Sequence, residues 1–154
     1  MTIIEGNISV SHVNIAIILS RFNESIGKML LQGAEKAYIQ KGGEISDLTI
    51  VKVPGALEIP VTAKKLIEIG KYDAVIALGV LIKGKTYHFE YVAKMLTDGL
   101  SSLSLESGVP IIFEVLITDT AAQAKKRASK DMKNNKGYSA MLAALEMAQL
   151  MKQL

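Results

Sequence analysis

Apolar positions along the chain alternate between two periods. Val13 to Leu19 is a short β-branched run of the kind that fills a strand covered on both faces. From Glu24 to Lys41 the apolar residues Ile26, Met29, Leu30, Ala34, Ala37 and Tyr38 recur at helical spacing until Gly42 and Gly43 stop them. The alternation then repeats. Leu48 to Val53 reads as a strand closed by Pro54-Gly55, and Glu58 to Ile69 as a helix with Pro60 in its first turn and Gly70 at its end. Ala74 to Val80 is a third strand. His88 to Leu105 is a long helix with Phe89, Val92, Leu96 and Leu103 inward, closed by Gly108. Pro110 to Leu116 is a fourth strand, after which Thr118 or Asp119 caps a helix running to about Ala128. Gly137 to Leu154 is an amphipathic terminal helix. Thr2 to Val10 is strand-like but precedes the first strand–helix unit, so it needs an edge of the same sheet or of a neighbouring subunit.

Strands that alternate with helices of this length predict a parallel sheet covered on both faces. In such a sheet ligands bind beyond the carboxyl ends of the strands, near the point where the strand order reverses. Four segments fall at strand ends: Ser20 to Asn23, Val53 to Pro60, Val80 to His88 and Glu114 to Thr120. With 154 residues and no long linker or repeat, the chain reads as one domain over 1–154. A hydrophobic content of 49% excludes a disordered chain, and no apolar run reaches the length of about 18 residues that a membrane helix needs. There is no cysteine, hence no disulfide framework and no thiolate chemistry. Met1 to Ser11 carries Glu5 and lacks a basic start and an apolar signal core, so a cytoplasmic protein is expected. The net charge of +3 is too small for a nucleic-acid footprint, and the few aromatics are not interleaved with the basic residues. The basic residues do gather late, at Lys125, Lys126, Arg127, Lys130, Lys133 and Lys136. That cluster is either a solvated face and a charged turn or a seat for a small phosphate.

Gly79 to Thr86 reads Gly-Val-Leu-Ile-Lys-Gly-Lys-Thr, a formal match to the phosphate-loop pattern. Val80, Leu81 and Ile82 are large and apolar, however, and extend a strand more readily than they wrap a triphosphate. No obvious magnesium carboxylate accompanies the pattern. What survives is a narrower expectation: the N–H groups of Lys85 and Thr86, opening a helix, suit a single phosphate. His88 stands in the first turn of that helix, either as surface filler or as a proton shuttle beside the phosphate. Phe22, just past the first strand, either packs or offers a flat face to a heterocycle. Glu58 either complements a helix N-terminus or accepts hydrogen bonds from a polyol. His12 has no comparable surroundings, and two histidines this far apart make no metal motif.

Several blocks together resemble lumazine synthases: Ser20-Arg21-Phe22-Asn23, Val53 to Pro60, Leu78 to His88, Pro110 to Thr120, Arg127, Asn135-Lys136-Gly137 and Ala144 to Met147. They span nearly the whole chain in order. The resemblance implies a flavodoxin-like α/β/α sandwich with a four-stranded parallel sheet, plus an N-terminal strand paired with a neighbouring subunit. It implies condensation of 5-amino-6-(D-ribitylamino)uracil with 3,4-dihydroxy-2-butanone 4-phosphate to 6,7-dimethyl-8-ribityllumazine, the penultimate step of riboflavin synthesis, with no cofactor or metal. It also implies a homo-oligomer of at least five subunits, with an icosahedral shell as a larger form and riboflavin synthase as a candidate partner.

Carried over by position, Phe22 stacks on the pyrimidine, and Ala56, Leu57 and Glu58 hold the ribityl chain. Val80, Leu81 and Ile82 present backbone groups to the pyrimidine, Lys85 and Thr86 meet the phosphate, and His88 transfers protons. Phe113 and Arg127 come from a neighbouring subunit, Phe113 closing the pocket and Arg127 pairing with phosphate, while Lys136 adds charge there. The chain departs from the family pattern at Lys83, where arginine is usual, and at Leu57, where an aromatic is common. Glu114 stands where a small residue is usual, and the turn from Arg127 to Lys136 is one residue longer than the commonest pattern.

Overall fold

β1 (Ile15–Ser20) is buried along its whole length and carries no charged side chain, as befits a central strand. The computed structural model, which describes residues 1–154, places it between β2 (Thr49–Val53) and β3 (Ala74–Ile82); β4 (Ile111–Thr118) closes the far edge. All pairings are parallel, and the strand order is β2-β1-β3-β4. Successive strand side chains point to opposite faces, so Ile15, Ile17 and Leu19 join one core and Ala16 and Ile18 the other. The first core lies under α1 (Glu24–Gln40), α4 (Ala121–Arg127) and α5 (Lys136–Met151). The second lies under α2 (Ile59–Glu68) and α3 (His88–Ser107). The result is the expected flavodoxin-like three-layer sandwich with four parallel strands.

Several boundaries differ from the sequence reading for identifiable reasons. β3 and β4 each continue two residues further, because Leu81 and Ile82 still pair with Ile117 and Thr118. Residues Ala56 to Glu58 form a 3-10 turn, and α2 starts only at Ile59, with Pro60 in its first turn. Neither Thr118 nor Asp119 caps α4. The cap is Thr120, whose side chain accepts a hydrogen bond from the Gln123 N–H, while the Thr118 hydroxyl donates to the Thr120 carbonyl. On α3 the fully buried stripe is Val92, Leu96 and Leu100, one turn apart each, and Leu103 packs half-buried against the same core. Thr2 to Val10 forms no strand within the single chain, and the sheet stays at four strands. Its path follows α5 instead: Gln149 donates to the Ser9 and Ser11 carbonyls and Gln153 to that of Glu5.

α1 and α5 approach each other at a pair of glycines. An ideal Cβ on Gly137 would fall on the Leu30 carbonyl, and one on Gly33 on the Asn135 side chain. Asn135 is buried at that contact. Its amide donates to the Met29 carbonyl at 3.0 Å and to the Ser129 carbonyl at 2.9 Å, and its Oδ1 accepts from the Tyr138 N–H at 3.1 Å. The same side chain therefore caps α5, anchors it to α1 and closes the turn between α4 and α5. Gly137→Ala should destabilise the protein by about 1–3 kcal/mol, the usual cost of forcing extra volume into a tight contact, read as a lowered urea midpoint at unchanged m-value.

Candidate active site

The site follows from a mismatch in strand length. β3 pairs with β1 only as far as Leu78, opposite Leu19, whereas its pairing with β4 runs on to Ile82. Past Leu78 the side of β3 that faced β1 is left without a partner strand. Asn23 takes up part of it. Its backbone has φ 57°, a left-handed conformation that asparagine tolerates better than most residues, and its side-chain amide donates to the Val80 carbonyl at 2.9 Å. The Lys83 N–H pairs with the Thr118 carbonyl on the β4 side. Along a strand the polar groups of successive residues point to alternate sides, so the N–H and C=O of Ile82 point past the end of β1. This is the reversal in strand order, where the crevice of such sheets opens.

A cavity of about 410 Å³ lies there, lined by Phe22 after β1, by Gly55 to Glu58 after β2, and by Leu81, Ile82, Gly84, Thr86 and His88 after β3. Phe89 and Val92 of α3 complete its floor. Its lining is mainly apolar with a few polar groups, the usual make-up of a small-molecule pocket. Phe22 leaves 68% of its surface exposed, held out by the turn that Asn23 fixes. Glu58 is the residue preceding α2, and its carbonyl accepts from the Thr62 hydroxyl, which leaves the carboxylate exposed. His88 is the first residue of α3, and the exposed loop from Lys83 to Tyr87 leads into it. The backbone N–H groups from Gly84 to Phe89 have no acceptor within the chain, so several donors converge at this helix start. The first half of the formal phosphate-loop match, Gly79 to Ile82, is therefore strand, and only its last residues are available to an anion.

Of the residues singled out from the sequence, Phe22, Ala56, Leu57, Glu58, Leu81, Ile82, Thr86 and His88 line this one cavity. Val80 does not: its side chain is buried on the α1/α5 side, and its carbonyl is taken by Asn23. Lys85 is exposed between the wall residues Gly84 and Thr86 without joining the wall. The fourth strand-end segment, Glu114 to Thr120, contributes nothing to the cavity, so three strand ends form the pocket rather than four. Phe113 lies on β4 opposite Ala77, in a separate groove with Leu100, Ser104 and Leu105. Arg127 ends α4 with its guanidinium on the Gln123 carbonyl, and Lys136 begins α5. Within one chain, then, Phe113, Arg127 and Lys136 stand apart from the pocket.

Arg127 and Lys136 are nevertheless brought close to each other. Ala128 and Asn135 form an isolated antiparallel bridge, which places the two cations on either side of one neck. Glu114 lies between Ile112 and Leu116 on the face of β4 that carries α5. Burial pushes its carboxyl above the ordinary value of 4.5, and Lys136 pulls it part of the way back. Asn23 and Asn135 are the two organising residues that the sequence reading did not assign. For Asn23 the available signal was an asparagine directly before a helix, a common left-handed position. For Asn135 it was an asparagine before an amphipathic helix, a common cap.

A protein-family profile described as 6,7-dimethyl-8-ribityllumazine synthase matches residues 12–152. A 6,7-dimethyl-8-ribityllumazine synthase of Chloroherpeton thalassium is 50% identical over 151 residues, covering 98% of this chain and 97% of its own. Another of that name, from Chlorobaculum tepidum, is 42% identical over 151 residues with the same coverage.

Because the folded Glu114 carboxyl titrates above its unfolded value, its burial leaves stability untouched at pH values below both. Stability is lost as the pH rises from about 4.5 through the folded value, and the loss then stays constant. Glu114→Gln should therefore raise the melting temperature at pH 7, with the gain shrinking to nothing as the pH falls below 4.5. Calorimetry at a series of pH values checks both the sign and the window.

Proposed function

This chain belongs to the 6,7-dimethyl-8-ribityllumazine synthase family, and we propose that its cavity is one half of an active site completed by a neighbouring subunit. The reaction joins 5-amino-6-(D-ribitylamino)uracil to 3,4-dihydroxy-2-butanone 4-phosphate. An imine forms between the amine and the ketone, phosphate is eliminated, and ring closure with loss of water gives 6,7-dimethyl-8-ribityllumazine. Both substrates bring their own reactive groups, so much of the acceleration comes from holding them together in register.

On this reading Phe22 stacks on the pyrimidine, and the open edge of β3 offers it a donor and an acceptor at Ile82, since the Val80 carbonyl is held by Asn23 and Leu81 pairs with β4. Ala56, Leu57 and Glu58 hold the ribityl chain, with the Glu58 carboxylate accepting from its hydroxyls. Lys85 and Thr86 receive the phosphate at the start of α3, where unpaired N–H groups already point outward. His88 stands between the two substrates and relays protons during imine formation and elimination. The observation that carries the reading is convergence: Phe22, Ala56, Leu57, Glu58, Leu81, Ile82, Thr86 and His88, from three strand ends, line one cavity at the reversal in strand order.

The same reading requires a second subunit. The wall from Lys83 to His88 is exposed, and Phe22, Tyr87, Tyr91 and Met95 leave large apolar surfaces uncovered, more than a monomer of this size ordinarily shows in one region. Phe113, Arg127 and Lys136 lie on elements remote from their own pocket, as groups serving a neighbour's pocket would. Head-to-tail contacts of this kind close into a ring, and a ring of five is proposed. Arg127 then binds the leaving phosphate through its planar fork, with Lys136 adding charge. Residues Thr2 to Val10 find their strand partner on the adjacent subunit. The chain's lack of cysteine suits a reducing compartment, and the cytoplasm is the proposed location.

The direct test is an assay with the two substrates in the presence of a chelator. Product should form without added metal or nucleotide; activity lost to the chelator and restored by a divalent ion would overturn the assignment. His88→Ala should lower turnover by about ten- to a thousandfold, partly overlapping the general range for acid–base groups. Arg127→Ala should weaken the phosphorylated substrate by about 2–4 kcal/mol and leave the ribitylaminouracil nearly unaffected. Mixing the two inactive proteins under subunit exchange should restore some activity, since a fraction of interfaces regains both residues. A fully active monomer in analytical ultracentrifugation would refute the shared site.

A further inference from the structure

The antiparallel bridge between Ala128 and Asn135 confines two like charges, Arg127 and Lys136, to the neck of a single turn. Asn135 locks that neck from inside through its bonds to the Met29 and Ser129 carbonyls, so the two cations cannot drift apart by opening the turn. Like charges held this way need a compensating anion. Glu114 supplies one from the sheet below: β4 presents it toward α5, between Ile112 and Leu116, while Phe113 and Val115 face the opposite layer. The carboxylate takes part in none of the four ion pairs of the chain, which all lie elsewhere on the surface. Lys136 opens the helix that packs over this face of β4, and its charge pulls the Glu114 carboxyl back against the effect of burial. Glu114 is thus a half-buried carboxylate with no structural partner, set near a cation that the reaction needs free.

We propose that Glu114 is a charge-tuning residue of the phosphate subsite: it partly neutralises Lys136, lowers the affinity of the neck for phosphate, and so favours release of the eliminated phosphate. The proposal rests on the reading that Arg127 and Lys136 receive the phosphate of the butanone substrate. Glu114 touches no reacting atom in this scheme. It acts through Lys136, offsetting part of the positive field that the ammonium presents to a dianion at the neck, without forming an ion pair with it. Its burial strengthens the effect, since a charge near an apolar wall is screened less than one in open solvent. The position is occupied by a small residue in the usual family pattern, so the device is a feature of this chain and of relatives that share the carboxylate.

Inorganic phosphate used as an inhibitor of the assembled enzyme tests the idea. Glu114→Gln should lower the inhibition constant for phosphate, and the KM for the butanone phosphate, by roughly three- to tenfold. That is the usual effect of one nearby unit charge in a partly exposed setting. The KM for ribitylaminouracil should not move. Glu114→Ala, a neutral side chain of different size, should tighten phosphate likewise, and Glu114→Asp should retain the wild-type constant; together these separate charge from shape. In a Lys136→Gln background, Glu114→Gln should have no further effect. If Lys136→Gln weakens phosphate but neither neutral variant at 114 tightens it, the proposal is overturned and the phosphate reading stands. If Lys136→Gln leaves phosphate inhibition unchanged, the reading of Lys136 falls and the proposal falls with it.

Discussion

The site depends on β3 outlasting β1. A parallel sheet satisfies backbone groups only where a neighbouring strand is present, and here one side of β3 loses its neighbour after Leu78 while the other keeps β4 to Ile82. Those last residues cannot fray, because β4 holds them, and cannot bury their inner polar groups, because nothing lies beside them. The chain resolves this partly with its own asparagine and leaves the remainder to a ligand. A planar heterocycle with alternating donors and acceptors is well matched to such an edge. Phe22, Glu58 and His88 surround the edge because each stands directly after a strand or at the start of a helix that the sheet positions.

The second constraint acts on the other face. Gly33 and Gly137 let α1 and α5 come close enough for Asn135 to reach the Met29 carbonyl. That contact fixes where α5 begins, hence where Lys136 stands, and through the Ala128 bridge where α4 ends, hence Arg127. A residue with no role in chemistry thus sets the spacing of two cations. The arrangement is stiff because it is buried and every polar atom of Asn135 has a partner, so the neck presents its charges without first having to order them.

The two constraints lie on opposite layers of one sheet, which keeps the cavity and the cationic neck apart within one chain. The pocket opens toward α2 and α3, whereas the cationic neck belongs to the α1/α5 side. No rearrangement of loops could bring Arg127 around the sheet to its own His88 without dismantling a core. The proposed shared site avoids that, since the neck of a second subunit would meet the pocket where apolar side chains are exposed.

Much of this was legible in the amino-acid order. The alternation of β-branched runs with helical periods determined four strands and five helices within a few residues, because burial on both faces leaves little choice of side chain. Gly108 marked the end of α3 through backbone chemistry that is local. The resemblance to lumazine synthases picked out eight residues that line the pocket, together with Val80, Lys85, Phe113, Arg127 and Lys136, which do not. What the order of residues could not decide was anything set by relative strand length or by contact across layers. That β3 overruns β1, that Val80 gives its carbonyl to Asn23 instead of a ligand, that Thr120 rather than Thr118 caps α4, and that Glu114 faces the layer of α5 all depend on which groups find partners in three dimensions. Hydrophobic pattern reports which face of an element is buried; only the assembled sheet determines which polar groups are left over, and those make the site.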